Sequence, residues 1–300
     1  MFTNVLVGVD GRTTGRDAIA LAGDLLDTEG KLTLVHVHDG RLAIAPMNQG
    51  TYRAQLEHSR TLLEEERRRA GINAQLASVA ADTPGHGLHQ RAEDQRADLL
   101  VVGSCRRGRL GRAMLGDDTR AALNGAPCAI AIAPVGYDRP GRGAIEKIGV
   151  AFDGSPESEG ALAAARRLAA ERHATIHALH VVSLPSLAYA GFGAAGLGET
   201  LEAMLQDARA GLAQLPDVDG RAVHGLPGEE LAQFGDAVDL LVVGSRGYGP
   251  MRRVIFGSTS NYLERHARCA LLVLPRSAGQ GEHPLVAPDE RPADVAEAPA

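Results

Sequence analysis

The chain carries the same pattern twice. Val5-Leu6-Val7-Gly8-Val9-Asp10-Gly11 is matched by Ile148-Gly149-Val150-Ala151-Phe152-Asp153-Gly154. Leu32 to Val37 is matched by Thr175 to Val181, both ending in His-Val. Asp98-Leu99-Leu100-Val101-Val102-Gly103-Ser104 recurs at Asp239 to Ser245, and Ala126 to Pro134 has its counterpart at Arg268 to Pro275. The spacing is 143 residues from Asp10 to Asp153 and 141 from Gly103 to Gly244. A period this long means two duplicated domains rather than a solenoid. The expected division is a first domain over 1–136, a connecting segment over 137–144, a second domain over 145–276 and a disordered tail over 277–300 rich in Pro, Ala and acids.

Within each half, short apolar runs alternate with helical segments. Near-continuous Val, Ile and Leu runs are strands covered on both faces, so the fold class is α/β, a parallel sheet with helices on each side. Ser155-Pro156 starts the first helix of the second half, Ser as N-cap and Pro in the first turn, with Leu162, Ala165, Leu168 and Ala169 facing inward. In the first half, Glu64-Glu65-Glu66-Arg67-Arg68-Arg69 reads as a solvated, self-paired helix face. Ser183 to Gly198, rich in Gly and Ala, reads as a flexible lid or a long loop.

Several classes are disfavoured. Lys plus Arg number 31 against 37 Asp plus Glu, a net charge of −6, which argues against nucleic acid as main partner. Aromatics are 3% with no Trp, so base-stacking platforms are missing. No apolar run approaches the roughly 20 residues that span a bilayer. The first residues lack a basic leader and enter a strand at once, so no secretion signal is expected. Cys105, Cys128 and Cys269 lack zinc or CxxC spacing, and a reducing cytoplasm is the expected compartment.

The chemistry concentrates after the apolar run Leu240 to Val243. Gly244-Ser245-Arg246-Gly247 is followed, after nine residues, by Gly257-Ser258-Thr259-Ser260. A strand, a glycine loop and a helix start form a place for phosphate, since backbone N–H groups and the helix dipole both favour an anion. Gly247 and Gly249 permit close backbone approach. Ser258 also reads as a plain N-cap. Asp153 reads equally as a turn-former or a ribose contact, Arg252 and Arg253 as solvated charge or phosphate partners, and His180 as a satisfied histidine or a ligand.

The pattern Gly-x2-Gly-x9-Gly-Ser, with Asp-Gly-Ser at 153–155 and the closing Cys-led strand, resembles the nucleotide-binding universal stress proteins, as a tandem pair over residues 1 to about 276. The dinucleotide fingerprint, which would follow the first strand, is absent, as is the long phosphate loop ending in Gly-Lys-Ser/Thr. The resemblance implies a five-stranded parallel sheet per domain, Rossmann-like and similar to the adenine nucleotide alpha hydrolases. It also implies ATP as ligand, as in one clade of the family, and magnesium is expected only because ATP usually carries it. Asp153 and Val181 then face adenine and ribose, Val243, Gly244, Arg246 and Gly247 line the ribose–phosphate path, and Gly257, Ser258, Thr259 and Ser260 hold phosphate. The resemblance further implies pairing of last strands, so 128–134 would meet 269–275 within one molecule, with a homodimer and an unidentified protein partner as further possibilities.

The first-half counterparts are Asp10, Val37, Gly103, Gly108 and Gly116, but Arg106 replaces Gly247 and Asp117 replaces Ser258. A carboxylate about 4 Å from a phosphate charge costs roughly 4 kcal/mol at an effective dielectric near 20, about a thousandfold in affinity. The first half is therefore expected to bind ATP poorly, with Arg106 or Arg107 pairing with Asp117, or with Arg106 solvated and Gly108 substituting for the lost glycine. Cys105 beside these arginines reads as an exposed thiol or an activated one, and Cys128 and Cys269 as packing residues. The expected function is a non-catalytic ATP-binding stress-response module. The alternatives are a slow ATPase, with Asp153 or Glu229 as base, and a duplicated scaffold without nucleotide.

Overall fold

The computed structural model describes residues 2–43, 49–104, 124–183, 194–245, 254 and 256–275. Ten strands form one sheet: β1 Phe2–Gly8, β2 Leu26–Asp39, β3 Gln75–Ala81, β4 Leu99–Gly103, β5 Ala129–Ala133, β6 Lys147–Ala151, β7 Thr175–Val182, β8 Val218–His224, β9 Leu240–Gly244 and β10 Ala270–Leu274. Their order is β3-β2-β1-β4-β5-β10-β9-β6-β7-β8. Each half contributes five parallel strands. The seam between halves is antiparallel, Leu271 opposite Ile132, Leu272 opposite Ala131 and Val273 opposite Ile130. The expected strand pairing within one chain is thus present.

The described helices are α1 Thr13–Leu25, α2 Gln49–Ala70, α3 Pro84–Asp94, α4 Pro156–Arg172, α5 Ala194–Ala213, α6 Pro227–Phe234 and α7 Ser258–His266. Alternation along the strands divides the core into two layers. Val5, Val7, Leu99, Val101, Ala270 and Leu272 face the layer under α1, α2, α4 and α5. Leu6, Leu100, Val102, Leu271 and Val273 face the layer under α3, α6 and α7. Each fully buried Val or Leu contributes about 1.5–3 kcal/mol, which explains why strands covered on both faces read as unbroken apolar runs.

The repeated Asp-Leu-Leu-Val-Val-Gly-Ser has a structural logic at each end. Its aspartate caps the entry of the neighbouring first strand. Asp98 accepts the Thr3 and Asn4 N–H groups at 2.7 and 3.0 Å, and Asp239 accepts those of Glu146 and Lys147 at 2.9 and 2.8 Å. Its glycine lies under the first helix of the half. A Cβ on Gly103 would sit 1.9 Å from the Thr14 carbonyl oxygen, and one on Gly244 2.7 Å from that of Glu157.

Ser155 caps α4 as its sequence implies, its hydroxyl accepting the Ser158 N–H at 3.2 Å. Leu162, Ala165, Leu168 and Ala169 are all buried. Two readings are corrected. Glu66 does not belong to a solvated face, because α2 turns it inward to meet Arg16 of α1. Ala194 to Gly198 are helical, the start of α5, so the loop reading fails there. The rest of that segment after Ser183, and the tail from 277, lie outside the described residues.

The segment between halves is strapped down. The buried Asp17 carboxylate accepts the N–H groups of Gly136 and Asp138 at 2.9 and 2.8 Å. Tyr137 is buried and donates to Asp24 at 2.8 Å, while Arg142 also binds Asp24 and lies 3.7 Å over the Tyr137 ring. Among the described residues, no helix is long and apolar enough to cross a membrane.

Candidate functional site

In the second half, β6 lies between β9 and β7, so the chain leaves it in opposite directions. Such a switch point opens a crevice at the carboxyl ends of the strands. A cleft of about 770 Å³ lies there, within the range of small-molecule sites. It brings together eight of the sequence-selected residues: Asp153, Val181, Val243, Gly244, Gly257, Ser258, Thr259 and Ser260. Arg246, Gly247 and Gly249 lie outside the described residues, as do Arg252 and Arg253.

The floor is built by the turn after β6. Gly154 has φ +78°, matched by Gly11 at +71° in the first half, a conformation that favours glycine. The Asp153 carboxylate accepts the Ser155 N–H at 3.0 Å. Burial raises its pKa, but hydrogen bonding from Ser155 and Ser158 and the charge of His180 outweigh this, leaving it below the ordinary carboxylate range. Burial pushes the half-buried His180 imidazole down, against the pull of Asp153. His180 itself lines an adjoining cleft of about 480 Å³ that shares Phe152, Asp153 and Val181 with the first.

The wall opposite is the start of α7. The cap position is Gly257, with φ −80°, and glycine brings no side chain to cap the helix. Ser258 is therefore its first helical residue, and the plain N-cap reading does not hold. No acidic residue occupies the first turn, so the positive end of the helix dipole faces the cleft.

Residues missed in the sequence add to the lining, among them Phe152, Glu157 and Leu179 beside the turn, Pro227 and Leu231 from α6, and Ser245. Ser245 is 3% exposed, and its hydroxyl has no partner among the described residues. A buried unpaired hydroxyl costs about 1–3 kcal/mol. Its equivalent, Ser104, donates its hydroxyl to the Ala133 carbonyl. The signal was present as the repeated Gly-Ser, but the differing partners are a tertiary property.

In the first half, Asp10 repeats the turn, accepting the Arg12 N–H at 3.0 Å. Arg12, in the place of Ser155, gives α1 no side-chain cap. Val37 packs in the second core layer, its Cγ1 only 2.8 Å from where a Cβ on Gly87 would sit. Gly103 lies under Thr14 as described. Gly108 and Gly116 lie outside the described residues, as do Cys105, Arg106, Arg107 and Asp117. The described residues contain no group of three or more His, Cys, Asp or Glu able to hold a metal.

Two doubly wound halves joined edge to edge, the second with a crevice beside its first strand, define a tandem Rossmann-like α/β protein. The profile of the Universal stress protein family matches residues 1–134 and 144–275, and the chain belongs to that family. A universal stress protein of Mycobacterium tuberculosis is 29% identical over 309 residues, covering 91% of this chain and 97% of its own. One from Mycolicibacterium smegmatis is 29% identical over 296 residues, covering 90% and 96%. The crystal structure of a universal stress protein from Archaeoglobus fulgidus matches in fold, with TM-score 0.63 at 17% identity over 91% of this chain and 98% of that one.

Proposed function

We propose that the protein is an ATP-binding regulatory module whose nucleotide site is the second-half cleft. One observation carries the reading: a helix N-terminus with glycine at its cap and no acid in its first turn, and a buried hydroxyl unpartnered among the described residues, converge on one crevice. Ser258, Thr259 and Ser260, with the Gly257 backbone, would hold phosphate, and Ser245 would gain a partner from the ligand. Arg246, Gly247 and Gly249 would close the phosphate path. Asp153 and Val181 would meet ribose and adenine against Phe152 and Leu231. Bound ATP would bring its magnesium as counter-charge to the phosphates.

The module holds nucleotide rather than turning it over. Asp153, one of the two bases the sequence suggested and a lining residue of the cleft, is committed to the Ser155 N–H and held below the ordinary carboxylate range, which makes it a poor proton acceptor. The bound state is read by a protein partner or by a second copy. The free, buried thiols of Cys128 and Cys269 suit a reducing compartment such as the cytoplasm.

Titration of the full chain with ATP tests this, with one site per chain expected. Ser258→Asp copies the first-half residue and should weaken binding about a thousandfold. No binding at millimolar ATP overturns the reading. Two equivalent sites overturn its asymmetry.

A further inference from the structure

The cleft of the second half is braced by a residue of the first. Asn124 lies just ahead of β5, and its side-chain oxygen accepts the Phe256 N–H at 3.2 Å. Two backbone bonds flank this one. Gly125 N–H donates to the Val254 carbonyl at 2.7 Å, and Val254 N–H donates to the Ala126 carbonyl at 2.9 Å. Together they form an antiparallel bridge between Ala126 and Val254. Val254 and Ala126 are fully buried and Phe256 nearly so, while Gly125 is half-buried and Asn124 reaches Phe256 from an exposed position.

The position matters because Phe256 immediately precedes Gly257, the cap residue of α7. Its carbonyl is held from the other side by the Asn261 side-chain amide at 3.4 Å. Phe256 is thus gripped at its N–H by the first half and at its carbonyl by α7. The register of Ile130–Ile132 against Leu271–Val273 fixes where Asn124 falls. The equivalent position in the second half is Arg265, which is half exposed beside Glu264, so the two halves differ here.

We infer that Asn124 is a positioning residue for the second-half phosphate loop, coupling occupancy of that cleft to the first half. This rests on the nucleotide reading above. A ligand that orders the backbone at Gly257–Ser258 stabilises the bridge, and by linkage the bridge raises affinity for the ligand to the same degree. Removing one part-buried acceptor from such a brace is worth about a twofold to fivefold loss of affinity.

The test uses the full chain with ATP as probe. In the wild type, ATP should slow amide hydrogen exchange at Gly125, a residue of the other half, by about the same factor as at Phe256. Asn124→Leu, which keeps the shape and removes the acceptor, should weaken ATP binding about twofold to fivefold and abolish the slowing at Gly125. ATP that binds the wild type without changing exchange at Gly125 overturns the inference and leaves the nucleotide reading intact. Unchanged affinity in Asn124→Leu also overturns it. Should that variant fail to fold, the wild-type exchange measurement decides alone. Absence of ATP binding to the wild type overturns the nucleotide reading and this inference with it.

Discussion

Ser104 and Ser245 occupy equivalent places at the ends of β4 and β9, yet among the described residues Ser104 alone of the two finds a partner for its hydroxyl, the Ala133 carbonyl. Both are buried, at 1% and 3% exposure. Alanine at the two sites should therefore act in opposite senses. Ser104→Ala should cost about 1 kcal/mol of stability, one hydrogen bond. Ser245→Ala should leave urea stability unchanged or raised, because it deletes an unsatisfied group, and should weaken ATP binding. Equal destabilisation of both variants in urea would contradict the difference.

Gly103→Ala should be severely destabilising. A methyl group there meets the Thr14 carbonyl oxygen, backbone that cannot rotate away. The cost should lie at or above the upper end of about 1–3 kcal/mol for overpacking. Gly244→Ala, with more room beneath Glu157, should cost less, and thermal unfolding of the pair reads the order.

The Glu66 carboxylate is met by Arg16 Nε at 3.0 and 3.1 Å and by Nη2 at 2.9 Å. The carboxylate is 7% exposed and the guanidinium 24%. Arg16→Met strands a buried charge and should cost about 3 kcal/mol, the lower end of the range for breaking a buried pair because the guanidinium is partly wet. Combining it with Glu66→Leu should recover much of that loss, whereas a double variant no better than the single would show that the pair matters for more than its charge.

Stability should fall on mild acidification. Burial, aided by His38 and His58 and opposed by Asp10, holds the His36 imidazole below its ordinary pKa. Its Nδ1 lies 2.9 Å from Ser59. The unfolded chain then binds the proton more readily, so stability is full above an unfolded pKa of about 6.5 and declines as pH drops through it toward the folded value. His180 adds to the same slope. The urea midpoint should decrease between about pH 7.5 and 5.5, and the decrease should shrink in His36→Asn/His180→Asn.

Tyr137→Phe should cost about 1 kcal/mol, one hydrogen bond to Asp24. The ring stays buried and Arg142 still answers the Asp24 charge, so denaturant unfolding should shift modestly and stay cooperative. A second transition in the variant would mean that the strap does more than anchor a turn.

Much of the architecture was legible because burial on both sheet faces writes itself into the strands as apolar runs, and because the duplication supplied each run with a second copy. The edge strands were less visible. β3 and β8 bury only part of their length, and Val218-Asp219-Gly220-Arg221 carries no apolar run. β2 begins at Leu26, well before Leu32, because Phe2 pairs with Leu26 across an irregularity in register. In the cleft, the glycine and serine positions were readable from spacing. Pro227 and Leu231 were not, since they arrive on a helix whose placement depends on the whole sheet. Glu66 and Asn124 were hidden for a related reason: each has its partner on a distant element, 50 and 132 residues away.

The antiparallel seam of β5 with β10 has a consequence for how the halves associate. Strands that separate chains would bring together only at sufficient concentration are here tethered by a short strapped segment, so their pairing is unimolecular and set by a fixed effective concentration. Dilution cannot separate the halves. A second copy can compete for either edge only after the seam opens, which makes exchange between molecules a slow event governed by unfolding rather than by abundance.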